Sequence, residues 1–266
     1  MKLLFIGDIV ARPGRDLVRR GLKGLIAAHH IDIVVANAEN AAGGAGVTSA
    51  IADELFGAGI DALTSGNHVW DKREALEFIV REPRLVRPAN YPAGAPGAGS
   101  YAWRTPGDAV IGVVNVMGRV FMAPLDDPFA VVLEEIARVR AAGATIILVD
   151  FHAEATSEKL AMGWHLDGQV TAVIGTHTHV QTADERVLPG GTAYLTDVGM
   201  TGPHDGIIGM DRAGVLARFR TGLPGRYEAA SGDPRLHGVI ITADPATGRA
   251  TASASASSTR WVACSW

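Results

Sequence analysis

Residues 170–179 read Val170-Thr171-Ala172-Val173-Ile174-Gly175-Thr176-His177-Thr178-His179, a short apolar run that stops abruptly in a glycine and two histidines two positions apart. The same grammar recurs along the chain. Leu3 to Ile6 runs into Gly7-Asp8, Ile33 to Ala36 into Asn37, and Ile60 to Leu63 is followed by Gly66-Asn67-His68. Ile111 to Val116 ends in Met117-Gly118, and Ile146 to Val149 in Asp150-Phe151-His152. Continuous β-branched runs of this length are the pattern of strands buried on both faces, as in a sheet covered by helices.

Helical periodicity lies between the runs. Pro13 can open a helix whose Leu17, Val18, Leu22, Leu25 and Ile26 share a face. Thr48 can cap a second carrying Ile51 and Leu55, and Asp71 with Glu74 can open a third carrying Leu76, Ile79 and Val80. Phe129 to Ala142 reads as a fourth. Strand followed by helix, repeated, predicts an α/β fold of one domain, residues 1–266. The Pro/Gly-rich stretch 87–107 breaks that rhythm, so 69–107 is expected to form a cap or lid. Val239 to Thr242 and Arg249 to Ser255 read as a terminal hairpin around Asp244-Pro245-Ala246-Thr247-Gly248, and 251–266 as a tail.

Composition excludes several classes. The chain has 266 residues, nine histidines and one cysteine, with 24 basic against 28 acidic residues for a formal net charge of −4. One cysteine, Cys264, supports neither a disulfide framework nor a multi-cysteine metal site, so a bound metal must be held by histidine, carboxylate or amide oxygen. The charge gives no global help in holding a long polyanion, and a stable nucleic-acid complex is not expected. No segment approaches about 18 uninterrupted apolar residues, and the N-terminal run lacks the form of a signal peptide. The expectation is a cytoplasmic protein without a membrane partner; a homo-oligomer is left open.

The chemistry is concentrated just after the apolar runs, where Asp8, Glu39 with Asn40, Asn67 with His68, His152, His177 and His179 stand. Ligands of open α/β sheets bind beyond the carboxyl ends of strands, and these separated groups can converge there. Oxygen and imidazole donors together suit iron, manganese, zinc or cobalt. Each residue also has a duller reading: Asp8 as a helix cap, Asn40 in a turn, His177 and His179 as one face of a half-buried strand. Arg12, Arg15 and Lys159 can reach a phosphate or be solvated. His204 is a candidate pocket residue, and Trp70, Tyr91 or Trp103 can stack a base or fill the core.

An Asp after the first strand, a carboxylate after the second, Gly66-Asn67-His68, His152 and Gly175-Thr176-His177-Thr178-His179 together resemble the calcineurin-like metallophosphoesterases. Two departures point to one branch. Asp8-Ile9-Val10 replaces the usual Asp-x-His, and Glu39 followed by Asn40 replaces a bridging Asp. With Arg12-Pro13-Gly14-Arg15, Asn37-Ala38-Glu39-Asn40, the block 152–159, Gln181-Thr182-Ala183-Asp184 and the block 197–202, the chain resembles the bacterial YmdB-type metallophosphoesterases over about residues 1–242.

That resemblance implies a sandwich of central β-sheets flanked by helices, and a centre of two divalent or trivalent ions, iron expected, manganese or zinc the alternatives. Asp8, Glu39 and His179 would hold one ion, with Asn40 completing it; Glu39, Asn67, His152 and His177 would hold the other. The implied reaction is hydrolysis of a small phosphodiester, a cyclic nucleotide and particularly a 2′,3′-cyclic one, by a hydroxide bridging the ions, with His68 as general acid. A phosphomonoesterase of the same site and a non-catalytic metal-binding regulator are the rival readings. Retention of His68 argues against the regulator.

Overall fold

In the first strand Leu3 and Phe5 face one way and Leu4 and Ile6 the other, and all four are fully buried. Two-sided burial of this kind requires a layer on each face of the sheet. The computed structural model describes residues 1–225 and 227–251 and the backbone of two short strands, Thr259–Trp261 and Cys264–Ser265. The elements run β1 (Lys2–Ile6), β2 (Asp8–Ile9), α1 (Ala11–His29), β3 (Ile33–Asn37), α2 (Ser49–Ala58), β4 (Ala62–Thr64), α3 (Ala75–Phe78), β5 (Ser100–Arg104), β6 (Val110–Met117) and α4 (Pro128–Ala141). They continue with β7 (Ile146–His152), α5 (Thr156–His165), β8 (Ala172–Thr176), β9 (Arg186–Val187), β10 (Ala193–Leu195), β11 (Met200–Pro203), α6 (Arg212–Thr221), β12 (Pro234–Leu236), β13 (Gly238–Thr242), β14 (Thr259–Trp261) and β15 (Cys264–Ser265).

Two large sheets face one another. One has the order β14-β13-β1-β3-β4, the other β5-β6-β7-β8-β10-β9, and a smaller sheet runs β15-β12-β11-β2. Leu3, Phe5, Ile33 and Val35 of the first sheet meet Ile111, Val113, Ile146, Leu148, Ala172 and Ile174 of the second in a shared inner core. The opposite faces are covered by helices. Leu4, Ile6, Val34 and Ala36 pack against Val18, Leu22 and Leu25 of α1 and Leu55 of α2. Val114, Val149, Phe151 and Val173 pack against Val132, Ile136 and Val139 of α4 and Met162 of α5. The result is a four-layer helix–sheet–sheet–helix sandwich, the expected fold class, with β1, β3 and β4 parallel, and β6, β7, β8 and β10 parallel.

Parallel strands bring their carboxyl ends to one rim, which is where the site residues lie. Local chemistry sets the elements that lead there. Thr48 caps α2 by accepting from Ile51 N at 3.3 Å, and Asp127 caps α4 through Phe129 N at 3.1 Å.

The third predicted helix is cut to one turn. Its two acidic residues serve other elements: Asp71 binds the His68 ring and Glu74 accepts from Ser49 N at the start of α2, leaving Leu76 and Val80 exposed. The segment that follows returns as β5, an edge strand antiparallel to β6. The C-terminal turn closes through a bridge between Ala243 and Ala250, and β14 pairs with β13. The Ala/Ser stretch 252–258, including the outer part of the predicted hairpin, lies outside the described residues. No helix among the described residues is long and apolar enough to cross a membrane.

Candidate metal centre

Every candidate site residue stands at the end of a strand. Asp8 follows β1, Glu39 and Asn40 follow β3, Asn67 and His68 follow β4, His152 closes β7, and His177 and His179 follow β8. The structure brings all eight to one rim of the sandwich.

His152 is the hub. Its Nε2 lies 3.1 Å from Glu39 Oε1, 3.0 Å from Asn67 Oδ1 and 3.1 Å from His177 Nδ1. Glu39, His152 and His177 each direct one donor atom into a cluster spanning less than 4.8 Å. Beside it, His179 Nε2 lies 3.8 Å from Asp8 Oδ1 and 3.3 Å from Asn40 Oδ1. His179 Nδ1 donates to Ile208 O at 2.9 Å, which leaves Nε2 to present its lone pair toward Asp8 and Asn40. Asn40 serves a turn as well as the site, because its amide nitrogen donates to Gly44 O while its oxygen turns inward.

Burial makes this arrangement costly unless it is compensated. Asp8 and His152 are fully buried, and Asp8 Oδ1 has no hydrogen-bond partner among the described residues. Burial pushes the Asp8 carboxyl up, the nearby His179 and His152 only partly opposing it. Burial alone would lower His152, yet Glu39 beside it raises it to about 9; Glu39 is held at about 2 by His152 against its own burial. His177 falls to about 3 through burial and the adjacent His152. An orphaned buried carboxylate oxygen beside converging imidazole and carboxylate donors fits a bound cation, which would neutralise the charge and take the free lone pairs.

Close packing supports the same reading. A Cβ on Gly66 would fall onto the His152 ring and 2.5 Å from Glu39 Oε2, so a side chain there is incompatible with the cluster. His177 and His179 do not lie on a strand, as alternation predicts. β8 ends at Thr176, and both histidines take positive φ, 100° and 64°, a backbone region that costs energy outside glycine. The turn is held by Lys159 and Asp197: Lys159 Nζ donates to Thr176 O at 2.8 Å and Asp197 Oδ2 at 2.6 Å, and that same carboxylate oxygen accepts from Thr178 N and Thr178 Oγ1. Lys159 is thus buried and structural, not a surface cation reaching for phosphate.

His68 is half-exposed on the cleft wall. Its backbone N donates to Glu39 Oε2 at 2.9 Å, and its Nδ1 lies 2.8 Å from Asp71 Oδ2. The cleft, about 420 Å³, is lined by Glu39, His68, His177 and His179 on one side and by Ile208, Met210 and Tyr227 on another. Several other candidates stand elsewhere. Arg15 binds Ala41 O and Glu54, and Arg12 pairs with Asp16 on the surface. His204 packs against His237, ring centroids 4.5 Å apart. Trp70 and Tyr91 pack together against the outer core, and Trp103 stacks on Tyr101. Asp71, Tyr227 and Glu154, whose Oε2 lies 3.2 Å from His177 Nε2, were not readable as site residues; of these only Asp71 carried a signal, its three-residue spacing from His68.

Comparison with known proteins places the chain in a family. The family model described as YmdB-like protein matches residues 4–255. The chain belongs to the YmdB-like family. A Bacillus subtilis relative named 2′,3′-cyclic-nucleotide 2′-phosphodiesterase is 52% identical over 94% of this chain and 94% of its own. Two solved structures are similar to this chain over nearly its whole length. A protein from Thermus thermophilus described as hypothetical has 42% identity and a TM-score of 0.89, covering 99% of both chains. A phosphatase from Mycoplasma pneumoniae has 33% identity and a TM-score of 0.90, covering 100% of this chain and 93% of its own.

Proposed function

We propose that the chain is a metal-dependent phosphodiesterase that opens cyclic nucleotides, the 2′,3′-cyclic ones foremost, at a centre that would hold two ions, iron being the expected metal. The observation that carries this is the convergence of Glu39, His152 and His177 beside the unpartnered Asp8 Oδ1, with Glu39 and His177 lining an open cleft. Its YmdB-like kinship and the name of the Bacillus subtilis relative support a phosphodiester substrate.

Asp8, Glu39, Asn40 and His179 would hold one ion, and Glu39, Asn67, His152 and His177 the other. When bound, the ions supply Lewis-acid polarisation of the phosphoryl oxygens and activation of water near neutral pH. The protein does the rest. His68, oriented by Asp71, delivers a proton to the departing ribose oxygen. Met210 and Tyr227 offer an apolar wall of the kind on which a nucleobase packs. The whole chain acts as one domain, and 69–107 contributes His68's partner Asp71.

A substrate panel on metal-reconstituted protein tests the proposal: 2′,3′-cyclic AMP, 3′,5′-cyclic AMP, bis-p-nitrophenyl phosphate and p-nitrophenyl phosphate. The expected order of kcat/KM places 2′,3′-cyclic AMP first and the monoester last; a strong monoester preference overturns the diesterase reading, and no hydrolysis of any ester leaves the regulator. Substitution Tyr227→Ala is expected to raise KM for cyclic nucleotides severalfold while leaving the aryl diester little changed, as measured by parallel kinetics. Gly66→Ala should destabilise the fold by about 1–3 kcal/mol through overpacking and lower metal retention, measured by denaturant titration and metal analysis. Wild-type metal content in that variant would show that Glu39 and His152 can move apart without loss.

A further inference from the structure

Beneath the proposed centre lies a polar network that the reaction itself does not use. Asp150 and Thr176 sit within the sheet on β7 and β8, and both are fully buried. Thr176 Oγ1 donates to Asp150 Oδ1 at 2.7 Å, and the same hydroxyl lies 2.9 Å from His152 Nδ1. The other carboxylate oxygen, Oδ2, accepts from Thr64 Oγ1 at 2.5 Å and from Asn37 Nδ2 at 3.1 Å. Asn37 cannot turn round cheaply, because its Nδ2 also donates to Ser65 O and its Oδ1 accepts from Glu39 N.

We infer that Asp150, acting through Thr176, is a positioning residue that fixes the His152 tautomer so that Nε2 presents its lone pair to the metal. The argument is a count of protons. A hydroxyl has one hydrogen, and with Asp150 ionised Thr176 gives it to Asp150 Oδ1, which has no other donor among the described residues. Toward His152 the hydroxyl can then only accept. Once a cation takes the place of the Nε2 proton, the one remaining ring hydrogen sits on Nδ1, and Nε2, among Glu39 Oε1, Asn67 Oδ1 and His177 Nδ1, is the ligating nitrogen. Reversing the hydroxyl would strand a buried carboxylate oxygen.

The network also explains why the proton direction starts so deep. Asn37 and Thr64 belong to one sheet, and Asp150 and Thr176 to the other, so the carboxylate ties the two sheets together directly below the ligands they carry. Rotation of the His152 ring is opposed by both layers at once.

This inference rests on the proposed metal role of His152, and its test is read without turnover. Zn²⁺ affinity is measured on the full chain by competition with a chromophoric chelator, for wild type, Thr176→Val and Thr176→Ser. Valine keeps the shape but relays nothing and is expected to weaken Zn²⁺ binding by about 10–100-fold, whereas serine should stay within a few-fold of wild type. Nitrogen-15 histidine spectra of Zn²⁺-loaded wild type provide a measurement that needs no variant to fold, with a proton expected on Nδ1 of His152. A proton on Nε2, or undiminished Zn²⁺ binding by Thr176→Val, overturns the relay. A wild type that binds no Zn²⁺ overturns the metal reading, and the relay with it.

Discussion

Substitution of Lys159 by methionine is expected to cost about 3–5 kcal/mol of folding stability, the penalty for leaving one partner of a buried ion pair uncompensated. Both side chains are 1% exposed. Methionine fills most of the lysine's volume, so a cavity contributes little and the loss falls on Asp197. That carboxylate still receives hydrogen bonds from Thr178 N, Thr178 Oγ1 and Gly199 N, but these neutral donors do not cancel its charge. Denaturant unfolding of metal-free protein is the appropriate measurement, because bound metal would add its own stabilisation. Adding Asp197→Asn should restore part of the loss by removing the stranded charge. A single-variant loss below about 1 kcal/mol, in the range of exposed pairs, would mean that water reaches Lys159.

The same substitution has a second expected consequence. His177 and His179 are held at positive φ by contacts that pass through Thr176 O and Asp197, so relaxing the pair lets the turn relax. Metal retention should therefore fall even in the folded fraction of the Lys159→Met protein.

How much of this is written in the sequence depends on where a residue sits relative to a strand end. The eight candidate site residues are legible because each interrupts or follows an apolar run, and parallel strands carry such positions to one rim. The helices with an uncontested face, α1 and α4, are legible for a similar reason. The third helix is not, because Asp71 and Glu74 look like helix-starting acids while tertiary partners claim both. Lys159 shows the same limit: the sequence leaves it either solvated or reaching for a phosphate until Asp197, 38 positions later, is seen beside it. Asp150 and Thr176 are polar residues inside buried strands. Their partners lie on strands far away in sequence, so nothing local distinguishes a tautomer-setting relay from ordinary strand ends.

Removal of the His68 side chain is expected to lower kcat for a cyclic nucleotide by about 10²–10⁴-fold, the usual range for a positioned general acid, with metal content unchanged. The two effects can be separated because His68 holds Glu39 through its backbone N–H, not its ring, and His68→Ala keeps that donor. The leaving group then tells whether the ring acts as an acid. A ribose oxygen departs as a strongly basic alkoxide unless it is protonated, whereas a nitrophenolate leaves without help. Proton donation therefore predicts a large loss on 2′,3′-cyclic AMP and a small one on bis-p-nitrophenyl phosphate. Purely electrostatic stabilisation of the phosphoryl group predicts comparable losses on both. Asp71→Asn should fall between wild type and His68→Ala on the cyclic substrate, since it leaves the imidazole but weakens its hold at 2.8 Å. Equal losses on the two diesters would remove His68 from the acid's role and leave it as a group that binds the phosphate.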